Sequence, residues 1–412
     1  MEPQPEIFAF LDRQAEQIAA READHAFGPQ EYADRLARLR GAMADARLDM
    51  LVVSAPDAMC WLHGYQARWY KSHSTTAWPP FHCTVAHVDH DRLLHFDMER
   101  HRYLIPRTSV LADLRLKSVN TVAQWLDFFL GELDAEGWLG GTTGLEMWSS
   151  VPNRATSEIL ETALASRGCK VLDGSLVTRR VRRLKSPAEI AVISRAAEVC
   201  DAGVRALQAF LRPGVTELEA WAAMVGAMVA AGGEPAALQE NVWAGTSQLI
   251  HALSSRRRFA EGEIVCADPC GVVHRYHANA ARTFSIGEPE PAAVRLMELL
   301  AGGMSLFERS AGPGVRVADV QRVMCDYYRD CGLWERRGWL GGYEFGVAMP
   351  PDWVGEWMFG VDDGDSEDLF EEGLVTNFES IVGLVLIDTF VIGPDGARRL
   401  STVPPEILLA GG

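Results

Sequence analysis

One stretch, LKSPAEIAVISRAAEVCDAGVRALQAFL, most strongly constrains the architecture of this chain. Ser186 can cap a helix N-terminus, Pro187 suits the first helical turn, and Glu189 completes a capping box. A long helix is therefore predicted to begin here. The basic run before it, TRRVRRLK, is typical of a solvated linker, although it could also bind an anion. We place the junction of two domains at this point, giving residues 1–178 and residues 179–412.

The first domain is predicted to be an α/β domain. EYADRLARLRGAMADARLDM has apolar residues at helical spacing before the β-branched run LVVS, and a turn is expected at Pro56 and Asp57. HCTVAHVDHDRLLHFD is typical of a hairpin with Asp89, His90 and Asp91 at its turn. VAQWLDFFLGEL is predicted to form a helix packed against that hairpin.

The second domain alternates predicted helices with strand-like segments at 264–287 and 374–393. LVLIDTFVIG is apolar or alternating, as an antiparallel sheet covered by helices requires, so an α+β domain is expected. ADPCGVVHRYHANAARTFSIG reads as a strand, a tight turn and a second strand. It places Asp268 and Asn279 where a pair of metal-binding carboxylates could stand.

Composition narrows the class of function. The chain has 412 residues, 48% of them hydrophobic, which is enough for two cores. Its net charge of -17 argues against binding nucleic acid or an anionic membrane, so a small-molecule partner is expected. No signal peptide or membrane span is evident, and a cytoplasmic protein is expected. The eight cysteines are too sparse for a disulfide scaffold.

These segments together resemble the pita-bread family of methionine aminopeptidases, prolidases and aminopeptidase P, with its metal-free offshoots creatinase and ectoine hydrolase. The resemblance spans almost the whole chain. Its anchors are RRVRRLKSPAEIAVI, HALSSRRRFAEGEIVCADPCG, ARTF, GYEFGVAMPPDW and LVTNFESIV. It implies a creatinase-like α/β N-terminal domain and an α+β pita-bread catalytic domain.

The resemblance also implies a changed metal site. In the metal-dependent members, two carboxylates, a histidine and two glutamates hold two divalent ions that activate a water. Asp268 and Glu379 match two of these ligands, whereas Asn279, Tyr343 and Ile387 replace a carboxylate, the histidine and the second glutamate.

A second observation does not depend on the resemblance. Residues 278–412 contain no histidine at all. Tyr343 cannot take the role of an imidazole at neutral pH, since a phenol titrates at about 10. A neutral Asn279 also removes a charge that would be costly to bury without a dication. We therefore expect no metal and no other cofactor.

Two residues are predicted to be catalytic. His251, in WAGTSQLIHALSS, resembles the histidine that carries protons in creatinase, although a structural histidine is the alternative. Glu379 corresponds to a creatinase carboxylate that holds the guanidinium of the substrate, although an ion pair with Arg282 is the alternative. Ala281 stands where creatinase has a second carboxylate, which argues against creatine as the substrate.

Further residues are predicted to bind the substrate. GYEFGVAMPPDW resembles ectoine hydrolase, which opens a cyclic amidine without metal, so Tyr343 and Trp353 could line the pocket or simply pack. Asp268 or Asp388 would help Glu379 to hold a cation. Asn279 and Tyr343 would donate hydrogen bonds to a carboxylate or a developing oxyanion.

The aromatic stretch GYQARWYKSHSTTAWPPFH is the remaining candidate. The equivalent loop of creatinase reaches the active site of the other subunit, and Tyr70 matches an aromatic residue that touches the substrate there. Trp69 and Tyr70 could hold a cation by cation–π attraction, or the stretch could pack in a dimer interface. Both interpretations predict a homodimer.

The sequence thus predicts a metal-independent hydrolase of a C–N bond in a small zwitterionic or cationic metabolite. A cyclic amidine or lactam ranks ahead of a linear guanidino compound. The alternatives are a lyase or cyclase on the same scaffold, a non-catalytic pseudo-peptidase that binds a ligand, and a metal-dependent Xaa-Pro dipeptidase. The sequence does not decide whether Glu146 and Glu240 point into the pocket.

Overall fold

The computed structural model describes residues 4–67, 81–363 and 366–411. The chain divides into two compact units, Met1–Arg182 and Arg183–Gly412. The N-terminal unit contains, in chain order, α1 (Pro5–Ala19), α2 (Pro29–Asp45), β1 (Met50–Val53), α3 (Pro56–His63), β2 (Cys83–His87), β3 (Leu93–Asp97), β4 (Leu114–Leu116), α4 (Val122–Glu136), β5 (Thr142–Leu145), α5 (Arg154–Ser166), β6 (Lys170–Asp173) and α6 (Ser175–Arg183).

The N-terminal unit is built on one mixed sheet with the strand order β4-β3-β2-β1-β5-β6. The predicted hairpin is confirmed, since β2 and β3 pair antiparallel from Cys83–Phe96 to Ala86–Leu93. The predicted helix α4 is also present, and its Trp125 and Phe129 belong to the core of this sheet. This unit is therefore the α/β domain expected from the sequence.

One local prediction in this unit is wrong. Pro56 begins helix α3 rather than forming a turn after β1. Proline is favoured in the first turn of a helix because its φ is already helical and its missing N–H has no partner to lose there. The helix then ends at Gly64, whose φ of 85° suits a left-handed cap.

The C-terminal unit contains α7 (Pro187–Phe210), α8 (Glu217–Ala230), β7 (Asn241–Ala244), β8 (Ile264–Asp268), β9 (Cys270–Val273), β10 (Tyr276–Asn279), β11 (Arg282–Ser285), α9 (Pro291–Ser310), α10 (Val317–Asp330), β12 (Trp339–Tyr343), β13 (Met358–Gly360), β14 (Val375–Val382), β15 (Leu384–Gly393), β16 (Gly396–Arg399) and β17 (Leu408–Leu409). Among the helices of the described residues, none has the length and apolar character needed to cross a membrane.

Helix α7 begins as predicted. The Ser186 side chain accepts from the backbone of Glu189, and the Glu189 carboxylate accepts from the backbone of Ser186, which completes the capping box. The helix packs directly on the β9–β10 hairpin. At Gly271 a Cβ would lie 1.9 Å from the carbonyl oxygen of Ala196, so this close approach requires glycine.

The segment 267–287 contains more strands than the sequence suggested. It includes the end of β8, the complete strands β9, β10 and β11, and a tight turn at His274 and Arg275, which both have positive φ. Pro269 separates β8 from β9 because it has no N–H for a ladder bond. As a result, Asp268 and Asn279 end two different strands and lie close together.

Three sheets position the site. Strands β9 and β10 form a hairpin, β17-β11-β8-β7 form a second sheet, and β13-β12-β14-β15-β16 form a third. One face of β14 and β15 carries Phe378 and Phe390 into a core with α9 and α10. The opposite face carries Ile381 and Ile387 toward Cys266 of β8. This arrangement is the α+β architecture predicted for the second domain.

Candidate active site

Asp268 and Asn279 meet where β8 and β10 end. The Asn279 Nδ2 atom donates to Asp268 Oδ1 at 2.7 Å and to the carbonyl oxygen of Pro269 at 2.8 Å. Both partners are acceptors, so the amide presents its N–H bonds to Asp268. The Asn279 Oδ1 atom is buried and has no hydrogen-bond partner among the described residues.

The backbone of Asn279 is held by strand β15. Its N–H donates to Thr389 Oγ1 at 2.9 Å, and the same hydroxyl donates to the Asn279 carbonyl at 2.9 Å. The predicted role of Asn279 as a donor to a ligand oxyanion does not agree with this geometry. Both side-chain N–H bonds are already used, and the atom left over is an acceptor.

Glu379 lies on β14 among three other polar or aromatic side chains. Asn377 Nδ2 donates to Glu379 Oε1 at 2.8 Å, and Asn377 Oδ1 accepts from the backbone N–H of Tyr343 at 2.8 Å. A side-chain hydrogen bond joins Tyr343 to Glu379, and Trp353 Nε1 donates to Tyr343 Oη at 3.3 Å. The structure thus brings together Glu379, Tyr343 and Trp353. Asn377, which orders them, was not identified from the sequence.

The two carboxyl groups have raised pKa values. Burial, with a further contribution from Asp268, raises the pKa of Glu379 to about 8. Burial raises the pKa of Asp268 to about 6, although the hydrogen bond from Asn279 opposes this. Burial and both carboxylates also raise the pKa of Tyr343 well above its usual range. These pKa values favour an ionised Asp268 and a protonated Glu379 near neutral pH.

His251 is exposed in the loop between β7 and β8. It lies close enough to Asp268 for its charge to lower the pKa of that carboxyl. The Asn241 side chain donates to the carbonyl oxygens of Ile250 and Ala252 at 2.7 and 2.9 Å, which fixes the loop on both sides of His251. Asn241 is also the register partner of Asp268. One asparagine therefore links the histidine loop to the strand beside Asp268.

Asp388 does not join this cluster, contrary to the expectation that it helps to hold a ligand. Glu379 pairs with Ile387 across the ladder of β14 and β15. Successive residues of a strand point to opposite faces, so Ile387 shares the face of Glu379 and Asp388 does not. Asp388 is fully buried in an ion pair with Arg282 at 2.8 Å. Arg282 therefore pairs with Asp388 and not with Glu379.

The remaining candidates lie in different parts of the chain. Glu240 is buried, and its pKa is raised by burial with a further contribution from Asp268, so it lies near the site. Glu146 lies in the other unit, where its carboxylate accepts hydrogen bonds from two backbone N–H groups and one hydroxyl. It therefore has a structural role there. Trp69 and Tyr70 lie outside the described residues.

The five positions matched to metal ligands do not fit a pair of divalent ions. Asn279 turns N–H bonds toward Asp268 where a shared cation would require an acceptor. Tyr343 retains its proton because its pKa is raised, and Ile387 offers no donor atom. Of the five, only Asp268 and Glu379 have carboxyl groups. The titratable side chains that these residues and His251 bring to the site are two carboxyl groups, a phenol and a nearby imidazole.

The architecture of the C-terminal unit is that of the pita-bread class. The sequence matches metallopeptidase family M24 over residues 191–399, and the chain belongs to that family. The predicted fold class is thereby confirmed. The match begins within α7 and contains every described member of the site.

Similar proteins include an ectoine hydrolase and dipeptidases. The ectoine hydrolase of Halomonas elongata is 24% identical over 413 residues, covering 93% of this chain and 98% of the relative. The Xaa-Pro dipeptidase of Pyrococcus horikoshii is 27% identical over 277 residues, covering 66% of this chain and 76% of the relative.

The solved structures agree on the fold. The X-Pro aminopeptidase of Thermotoga maritima superposes with a TM-score of 0.75 at 18% identity, covering 91% of this chain and 99% of that chain. At this identity the likeness establishes the fold and not the reaction. The resemblance to the family seen in the sequence is confirmed.

Proposed function

We propose that this protein is a metal-independent hydrolase of a C–N bond in a small zwitterionic or cationic metabolite. A cyclic amidine or lactam ranks ahead of a linear guanidino compound. The observation that carries the proposal is the hydrogen bond from Asn279 to Asp268. It places the N–H groups of an amide where the metal-dependent arrangement needs acceptor atoms. The ectoine hydrolase relative, aligned over 93% of this chain, supports a cyclic amidine substrate.

The site offers complementary groups to a cationic ligand. Asp268 supplies negative charge at neutral pH, and the unpartnered Oδ1 of Asn279 can accept a hydrogen bond from a ligand N–H. A cation placed beside Glu379 would favour its ionised form and release its proton. Trp353 and Tyr343 supply apolar surface with a polar edge, which suits a small ring.

His251 is proposed to carry the proton through the reaction. It would remove a proton from a water as the water oxygen bonds to the amidine or lactam carbon, and the ionised Asp268 would stabilise the resulting imidazolium. The C–N bond then breaks, and His251 returns the proton to the departing nitrogen. The products together contain the atoms of the substrate and one water.

We also propose a homodimer in which the stretch around Trp69 and Tyr70 reaches the site of the other subunit. The support is the creatinase-like N-terminal domain of the resemblance and the aromatic density of this stretch. Aromatic faces close to a carboxylate pair would complete a site for a delocalised cation.

The second candidate is a metal-dependent Xaa-Pro dipeptidase, which is favoured by the names of several relatives. A lyase or cyclase on the same site remains the other enzymatic alternative. Hydrolysis differs from both lyase and cyclase chemistry because only hydrolysis places an oxygen atom from water in the product.

The experiment is an activity assay in ¹⁸O-labelled water with and without a strong chelator. Ectoine is assayed first, followed by other cyclic amidines, lactams, guanidino acids and Xaa-Pro dipeptides. We expect chelator-insensitive turnover with label in the product, lost in His251→Ala and Glu379→Gln and retained in His90→Ala, a histidine of the other unit. Dipeptide cleavage that a chelator abolishes and a divalent ion restores would overturn the proposal. Product without label would assign a lyase or cyclase.

A further inference from the structure

A cluster of histidine and aspartate side chains lies in the N-terminal unit. His82 precedes β2, Asp97 ends β3, and His101 ends the short 3-10 turn that follows. Cys83 pairs with Phe96 across the hairpin, which places His82 opposite Asp97. One nitrogen from each histidine and one oxygen from Asp97 lie within 4.8 Å of one another. His82 and Asp97 are only 3% and 4% exposed.

Hydrogen bonds orient the Asp97 carboxylate at the centre of this cluster. Its Oδ1 atom accepts from the backbone of Met98 at 2.6 Å and from His101 Nδ1 at 2.8 Å. Its Oδ2 atom accepts from the hydroxyl of Tyr65 at 2.7 Å. The carboxylate is therefore fixed before any ligand binds, as the supporting shell of a metal site requires.

Nε2 of His82 and Nε2 of His95 both face Asp97, and Nε2 of His82 has no hydrogen-bond partner among the described residues. Each lies 3.5 Å from an oxygen of Asp97. The Tyr65 hydroxyl donates its only proton to Asp97, so His82 Nδ1, at 3.0 Å, must donate to Tyr65. In the neutral ring, Nε2 of His82 then presents a lone pair to a carboxylate oxygen. Two such acceptors repel each other unless a proton or a metal ion lies between them.

We propose that His82, Asp97 and His101 bind one divalent transition-metal ion such as zinc, which would replace the proton that His101 Nδ1 donates to Asp97 Oδ1 in the metal-free protein. Metal–nitrogen and metal–oxygen bonds of about 2.0–2.1 Å in a tetrahedral site separate ligand atoms by roughly 3.3 Å, close to the observed 3.5 Å between His82 and Asp97. Two imidazoles with one carboxylate suit Zn²⁺, Co²⁺ or Fe²⁺ rather than Mg²⁺ or Ca²⁺. His95 is placed to act as a further ligand or as a support for Asp97.

The cluster and the candidate active site belong to different units of the chain. The family match begins at residue 191, well beyond the cluster, and every member of the cluster belongs to the N-terminal unit. A bound ion would tie the start of β2 to the turn after β3. Its presence or absence therefore does not decide whether hydrolysis requires a metal.

The test is binding of Zn²⁺ and Co²⁺ to the full-length protein after treatment with a chelator. Equilibrium dialysis gives the stoichiometry, and the visible absorption of Co²⁺ reports histidine coordination. We expect about one ion per chain, and binding at least roughly tenfold weaker in His82→Gln and in His101→Ala. His90→Ala, a histidine at the β2–β3 turn outside the cluster, should bind as the wild type does. Asp268→Asn should also retain the ion.

His101→Ala is the decisive variant because the His101 side chain is the most exposed of the three, at 11%, and its loss should be tolerated by the fold. Circular dichroism checks folding of each variant. Unchanged binding in folded His101→Ala, loss of the ion in Asp268→Asn, or no binding of Zn²⁺ or Co²⁺ to the wild type would each overturn the inference.

Discussion

At the scale of single residues, the protonation of Glu379 is the property most open to measurement. Its folded pKa of about 8 is above the usual value, so the folded state binds more protons than the unfolded state between these two values. Stability contributed by this proton is present at low pH and is lost as pH rises toward 8. Glu379→Gln removes the ionisation while keeping a neutral group of similar shape.

We therefore predict that the melting temperature of the wild type falls relative to that of Glu379→Gln as pH rises from about 5 to about 8.5. The difference between the two pH values should be on the order of 2 kcal/mol in free energy of unfolding. Glu288→Gln, at an exposed carboxyl, is the control for the substitution itself. Parallel melting curves for wild type and Glu379→Gln across this range would contradict the assignment.

The amide at position 279 leads to a second prediction. Asn279→Asp would place a carboxyl where Nδ2 now lies 2.7 Å from Asp268 Oδ1, replacing a hydrogen bond by repulsion whenever both groups are ionised. We expect a loss of roughly 2 kcal/mol at about pH 8 and a much smaller loss at about pH 5, measured by thermal melting.

The control for this substitution is Asn153→Asp. Asn153 caps the N-terminus of α5, where a negative charge is favourable, so this variant should be neutral or slightly stabilised at pH 8. If the loss of stability in Asn279→Asp relative to the wild type were the same at both pH values, the amide would not be explained by charge.

The residues also show where the sequence is informative. Asp268 and Glu379 were found through the motifs that carry the family resemblance, and the structure brings them together. Asp388 was misplaced because adjacency to Ile387 does not reveal which face of β15 a side chain occupies. Only the register with β14 decides this, and register is not visible in one strand alone.

At the scale of elements, the histidine loop depends on one asparagine of β7. The two hydrogen bonds from Asn241 to the carbonyls on either side of His251 hold this loop. We predict that Asn241→Ala increases backbone hydrogen exchange in residues 247–255 and leaves β8 protected, as measured by mass spectrometry. Gln208→Ala, which also removes a hydrogen bond from a side-chain amide to a backbone carbonyl, should not affect this loop. Faster exchange throughout β8 would indicate a role for Asn241 in the strand rather than in the loop.

Elements differ in how well they can be predicted. Helix α7 was located because its capping box is local in sequence. The four strands around Asp268 were read as two, since strands of four or five residues place only two or three side chains on each face. Asn377 and Asn241 were missed for a related reason, because their hydrogen bonds join segments that only the folded sheet brings together.

At the scale of the whole molecule, the fold class followed from the sequence, whereas the histidine cluster of the N-terminal unit did not. His82, Asp97 and His101 are spaced irregularly, and only the pairing of β2 with β3 brings them together. A metal analysis of the whole protein would sum over both units. Any bound ion must therefore be assigned by variants before it is used to judge the hydrolytic reaction.

The proposed dimer leads to a prediction about the activity of mixed dimers. If the stretch around Tyr70 completes the site of the other subunit, a chain carrying Trp69→Ala and Tyr70→Ala can be rescued by a chain carrying His251→Ala. In a mixed dimer purified with two affinity tags, one of the two sites would then be intact, and we expect about half of the wild-type activity. Each parent homodimer should be inactive.

The same experiment distinguishes a site shared between two subunits from a site completed within one chain. In that case both sites of the mixed dimer carry a defect, and activity should stay at the level of the parent homodimers. A mixed dimer of His90→Ala with the wild type controls for tagging and purification and should be fully active. Light scattering must first show that the wild type is a dimer at the assay concentration. A fully active monomer would exclude a shared site. Rescue in the mixed dimer alone would establish that the aromatic stretch acts across the subunit boundary.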